Sequence, residues 1–124
     1  MFSKLPFIFI IFMSFSSGCL GQPQRNLGQY RWNKRIIVTY ALSEEHPEVL
    51  KLKSDISLRL CEYDNRNLVH EHVNTSENDF KIILIGYDGA TKYTGRQSDL
   101  QALFDLIDTM PMRRAEMRND KPCY

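Results

Sequence analysis

The sequence predicts an α/β domain built on a mixed four-stranded sheet, ordered β-α-β-β-β-α with flanking helices. Three observations carry the prediction. An apolar, β-branched run at 36–41 is followed by a helical apolar stripe and then a second strand-like run, the pattern of a right-handed βαβ unit. The strongest strand pattern of the chain, 80–86, leads into the turn dipeptide Asp88-Gly89 and a shorter return strand. A capped, apolar-striped helix follows and closes the domain.

Taken in order, the chain opens with a leader. Lys4 is its only charge, residues 5–15 are apolar, and small residues follow up to Gly21, which is the layout of a secretory signal peptide over 1–21. The apolar run is shorter than the roughly 20 residues a membrane span needs. Two processing routes stay open. One cuts after Gly21; the other is a bacterial lipoprotein site at 16–19 that would put a lipid on Cys19, the one route by which the chain would meet a membrane. Without Lys4 the remaining chain carries 15 basic and 15 acidic residues. A neutral domain lacks the basic footprint that nucleic acid or an anionic membrane surface requires. Neither is expected as a partner.

Residues 22–29 read as an extended lead-in, and 30–118 as the folded domain. The first strand, 36–41, is apolar almost throughout, so both of its faces need covering. Pro47 suits a first helical turn and Glu44, Glu45 and Glu48 favour its positive end, which predicts a helix over 47–61 with Val49, Leu52, Ile56 and Leu60 inward. Residues 62–65 read as a turn, 67–73 as the second strand and 74–79 as a polar loop. The strand at 91–95 is the more polar partner of 80–86 and belongs at an edge. Ser98-Asp99-Leu100-Gln101 reads as a capping box opening a helix with the stripe Leu100, Leu103, Phe104 and Ile107, ended by Pro111. The tail, 119–124, reads as loose, with one more helical turn conceivable over 113–118.

A central parallel pair, an antiparallel hairpin and a closing helix make a thioredoxin-like arrangement, a sheet with helices on both faces. In that layout the reactive thiols sit in the loop and first helical turn after the first strand. Here that place reads Ser43-Glu44-Glu45-His46-Pro47. It holds no cysteine. The proline that normally precedes the third core strand is also missing, since Asn78-Asp79 stands before Phe80.

Three stretches carry a resemblance. Residues 30–38 (Tyr-Arg-Trp-Asn-Lys-Arg-Ile-Ile-Val), 84–92 (Leu-Ile-Gly-Tyr-Asp-Gly-Ala-Thr-Lys) and 107–117 (Ile-Asp-Thr-Met-Pro-Met-Arg-Arg-Ala-Glu-Met) resemble a bacterial domain-of-unknown-function family. That family is related to the DUDES module of equarin and sushi-repeat extracellular proteins. The resemblance implies a thioredoxin-like fold, export to the periplasm, the envelope or the medium, and no firmly attached enzymatic activity.

The residues that could carry chemistry are few. Cys61 and Cys123 have neither C-x-x-C nor metal-ligand spacing; they could pair across a long loop, or Cys61 could be buried on its helix with Cys123 unpaired. A redox or peroxide role would use Cys61 or a partner's thiol; Cys61 falls at the far end of its predicted helix, where the dipole raises a thiol pKa. His70 and His72 lie on one face of a strand, and His46 could add a third metal ligand; the alternative is solvent-facing or hydrogen-bonded histidines. Met110, Met112 and Met117 suit the bottom of a core better than a copper site. Arg113, Arg114 and Arg118 have acidic neighbours and read as a solvated mixed-charge surface. Tyr30, Arg31 and Trp32 form the best interface candidate, against a reading in which Trp32 covers the end of the sheet. No phosphate loop, dinucleotide fingerprint or nucleophile elbow occurs. The reading is a non-catalytic, exported binding module with no cofactor and an unidentified protein or envelope partner. A small redox protein (Cys61) and a metal-binding protein (His70, His72) are the alternatives.

Overall fold

A computed structural model describes residues 27–123 of the chain. The leader with Cys19, residues 22–26 of the lead-in and Tyr124 lie outside the described residues. The elements are β1 (Arg35–Ala41), α1 (Pro47–Leu58), α2 (Leu60–Asn65), β2 (Leu68–Asn74), β3 (Lys81–Ile85), β4 (Thr91–Gly95), α3 (Leu100–Ile107) and α4 (Pro111–Glu116). Single 3-10 turns at Leu27–Tyr30 and Met117–Asn119 bracket them, so the end of the lead-in is coiled rather than extended.

The sheet order is β2-β1-β3-β4. β1 pairs in parallel with β2 and antiparallel with β3, and β4 forms the edge of the hairpin. Gly89, at φ 85°, makes the tight turn that the Asp88-Gly89 dipeptide announces. Strand parity decides what each face buries. Ile37 pairs with Leu84 and Thr39 with Ile82. Ile37, Ala41, Ile82 and Leu84 join Val49 and Leu52 of α1, Tyr63 of α2, and Leu100, Leu103, Phe104 and Ile107 of α3 in one core. Each fully buried aliphatic or aromatic side chain there contributes about 1.5–3 kcal/mol. These three helices, α1, α2 and α3, therefore pack on one and the same face of the sheet rather than on its two faces. The connection between β2 and β3 explains this among the described residues: it is the short segment 75–80, with no helix in it. Because β2 and β3 flank β1, that segment arches over the C-terminal end of β1, and Thr75 N–H donates to Ala41 O at 2.7 Å.

Four local expectations change. The helix from Pro47 stops at Arg59 (φ −127°, ψ 38°), and α2 begins where a turn was expected. The kink is held by Arg59, whose guanidinium lies 4.8 Å over Phe104 and donates to both Glu62 carboxylate oxygens. It turns Tyr63 into the core and leaves Leu60 exposed. Cys61 consequently lies in the first turn of a new helix rather than at the end of the old one. The cap of α3 is Asp99, which accepts from Ala102 N–H at 3.0 Å. Ser98 is instead buried, and its N–H and hydroxyl both donate to Glu48, tying α3 to the first turn of α1. Lastly, Pro111 opens α4, and the tail is pinned rather than loose. Asn65 exchanges hydrogen bonds with the backbone of Lys121, and Cys61 is bonded to Cys123 with Cα atoms 5.7 Å apart.

Candidate functional site

β1 has two ends, and they differ chemically. At its C-terminal end lies the position where a thioredoxin-like layout keeps its thiols. His46 caps α1 there, its Nδ1 accepting from Glu48 N–H at 3.1 Å, and its ring stacks on Phe80 at 5.5 Å. Phe80 ends the arching segment, so an aromatic pair closes this corner. Beneath it, Thr39 is fully buried and its hydroxyl contacts His70 Nε2 at 2.9 Å and His72 Nδ1 at 2.8 Å. His72 Nε2 meets Asn74 Oδ1 at 2.9 Å. With neutral rings the protons run one way: His70 donates to Thr39, Thr39 donates to His72, and His72 donates to Asn74. Burial, with Lys53 and His72 nearby, lowers the His70 pKa to about 4. His72 is thus buried and His70 partly so, both on the face of the sheet that the helices cover. His46 does not join them, and among the described residues no group of three or more His, Cys, Asp or Glu side chains is placed to hold a metal.

The N-terminal end of β1 carries charge. Arg35 is 1% exposed, and its guanidinium lies 4.2 Å over the Tyr87 ring. Its Nη1 donates to Arg66 O at 2.8 Å, Glu116 Oε1 at 3.0 Å and Tyr87 Oη at 3.2 Å. Tyr87 in turn donates to Glu116 through a very short hydrogen bond and accepts from Asn67 Nδ2. Burial and the Glu116 carboxylate together push the Tyr87 pKa up. Arg113, expected on a solvated surface, is 2% exposed and pairs with Asp108 at 3.0 Å and with both Asp120 oxygens at 2.7 and 2.8 Å. Burial alone would raise the Asp108 carboxyl, but Arg66 and Arg113 outweigh it and hold the pKa below the ordinary range.

Beside this network opens a cleft of about 280 Å³, lined by Trp32, Arg35, Tyr87, Lys92, Met110 and Met112 among others. Trp32 is 59% exposed and Met112 51% exposed, so Met112 is a lip of the cleft and not a core plug; Met117 is exposed as well, while Met110 packs against the core. Trp32 holds φ at 68°, a left-handed value costly for a large side chain, in a turn where its N–H donates to Tyr87 O at 2.8 Å. Of the three interface candidates only Trp32 reaches this cleft. The Tyr30 hydroxyl donates to Glu71 at 2.7 Å, and Arg31 lines a smaller neighbouring cavity. Sequence reasoning missed Arg35, Tyr87 and Lys92 as site residues. The available signal was that the three stretches 30–38, 84–92 and 107–117 each contribute to one cleft.

Comparison with solved structures settles the scaffold. A reduced 2-Cys peroxiredoxin from Plasmodium vivax superposes with a TM-score of 0.56 at 8% identity, covering 72% of this chain and 84% of the other. The mitochondrial 2-Cys peroxiredoxin of Plasmodium falciparum superposes with a TM-score of 0.52 at 9% identity, covering 79% and 86%. The fold is thioredoxin-like. At such identities the likeness concerns the fold alone. The profile of a family described as a domain of unknown function, DUF4174, matches residues 69–116 of this thioredoxin-like chain. No curated protein matches it.

Proposed function

We propose that the chain is an exported, non-catalytic thioredoxin-like binding module that recognises its partner with the cleft at the N-terminal end of β1. One observation carries the reading: Trp32, a bulky aromatic in a left-handed backbone conformation, stands largely exposed at the mouth of that cleft. Strain of roughly 1–3 kcal/mol per such residue persists where surrounding structure enforces it, and such residues cluster at functional sites. The leader supports export, to the periplasm, the envelope or the medium, with Cys19 as the lipidation point if the lipoprotein route is taken. The related DUDES module occurs in extracellular proteins, which fits the same setting. The test is affinity capture from the protein's own envelope fraction with the wild-type chain and with Trp32→Gly. A partner held by the wild type and lost by the variant is expected; capture indifferent to Trp32 overturns the reading.

A redox role is the second reading, favoured by the placement of the Cys61–Cys123 bond at the surface, with Cys61 exposed in the first turn of α2. It requires turnover. Hydroperoxide consumption or insulin-disulfide reduction abolished by Cys61→Ser would establish it, and equal, background-level rates in wild type and Cys61→Ser leave the binding reading standing.

A further inference from the structure

We infer that the cleft beside Arg35 takes a small carboxylate with an apolar body, its two oxygens seated on the Nε–Nη2 edge of that guanidinium. The inference refines the binding reading above and rests on it. Arg35 spends all three of its side-chain hydrogen bonds through Nη1. Its Nε and Nη2 donate to no described residue, although the side chain is 1% exposed and lines the cleft. Charged donors so deeply buried are rarely left without an acceptor. Stacking on Tyr87 and the bonds to Arg66 O and Glu116 fix the plane of the guanidinium, so the unfilled edge is preorganised. Two parallel N–H groups on one edge match the two oxygens of a carboxylate. An amide offers one oxygen and would leave the other donor unfilled.

The surroundings set the rest of the ligand. Each local cation already has a carboxylate partner, Glu116 for Arg35 and Asp88 for Lys92, so the ligand is held by the geometry of the donor edge rather than by net charge, and a second negative charge on it would be opposed. Trp32, Met110, Pro111 and Met112 supply an apolar wall beside the guanidinium. The cavity, about 280 Å³, is at the small end of ligand sites and suits a ring or a short alkyl chain. The chain has one tryptophan, and it lies in this cleft, so its emission reports occupancy directly.

The test titrates the protein with 3-phenylpropionate and octanoate, and with their primary amides, following Trp32 emission. Saturable changes are expected with the acids, and binding about ten- to a hundredfold weaker with the amides, the worth of charge-assisted hydrogen bonds. Met112→Glu, at an exposed lip, should keep the melting temperature and weaken the acids about tenfold by placing a like charge beside them. Arg35→Lys keeps the charge but loses the two-donor edge and should weaken the acids similarly; where it fails to fold, the Met112 variant decides. Acids and amides binding alike, no saturable change with either, or unaltered acid binding in Met112→Glu overturns the inference. Envelope capture that depends on Trp32 while no acid binds would sink this refinement and spare the binding reading.

Discussion

The two ends of β1 solve opposite problems with similar materials. At the C-terminal end, Thr39, His70, His72 and Asn74 use one another's hydrogen-bonding capacity under the arch of 75–80, and the His46–Phe80 stack closes the corner above. At the N-terminal end, Arg35, Arg113, Glu116 and Tyr87 are tied together, and two of them, Arg35 and Tyr87, line an open cleft. The position that a thioredoxin-like layout reserves for reactive sulfur carries instead the cap residue His46, stacked on Phe80. The cleft proposed for recognition lies at the far end of the same strand. The open cleft of this chain therefore lies away from the place where the scaffold usually keeps its thiols.

The comparison breaks most sharply at Arg113. Arg113→Leu leaves Asp120 and the Asn65 carbonyl without their donor and Asp108 with Arg66 alone, and should destabilise the domain by about 3–5 kcal/mol, read by urea unfolding. Cys61→Ser with Cys123→Ser opens the tie on the tail, 62 positions apart in sequence. A loss of about 2–4 kcal/mol is expected, with the same loss on reducing the wild type. At the C-terminal end, Thr39→Val leaves a buried imidazole donor and a buried imidazole acceptor unmatched and should cost about 1–3 kcal/mol. A pH effect belongs to that end too. His70 titrates at about 4 in the folded chain, below its ordinary value of 6.5, so unfolding takes up a proton between the two. Stability is complete above pH 6.5 and falls as the pH drops towards 4. Lys53 and His72 oppose the charged ring, and Glu44 and Glu71 favour it. Discounted for residual exposure, the loss is on the order of 1–2 kcal/mol. His70→Gln should flatten that part of the profile. Smallest in stability is Trp32→Gly: relief of the left-handed backbone offsets glycine's extra unfolded-state freedom, and the change stays within about 1 kcal/mol. Partner capture should nonetheless disappear, which separates the open end from a merely structural one.

Much of the scaffold was readable in advance because each strand has its own local signal. The β-branched run of β1, the Asp88-Gly89 turn and the stripe of α3 are decided within a few residues. What the sequence hid was decided by distant partners. Arg59 ends α1 by leaning on Phe104, 45 positions away, and Ser98 yields its cap role because Glu48 captures it. Arg113 looked solvated because its neighbours are charged, yet Asp108 and Asp120 are the reason it is buried. The site was half legible. Trp32 stood out by residue type, whereas Arg35 hid inside a strand pattern and Met112 read as packing, since a lip and a plug share one composition.

The sheet's connectivity bears on how the domain assembles. Cys61–Cys123 closes a covalent ring that holds β2, β3 and β4 but leaves β1 outside it. Yet among the described residues β2 has no sheet neighbour except β1. Without β1 the ring keeps only the β3–β4 hairpin as paired strands, with α3 as its main cover, and the core loses Ile37, Ala41, Val49 and Leu52. The stretch from 69 to 116 is thus a recognisable piece of sequence that lacks the strand β2 pairs with, and a fragment beginning at Arg59 is expected to gain its ordered circular dichroism only when a peptide carrying β1 and α1 is supplied.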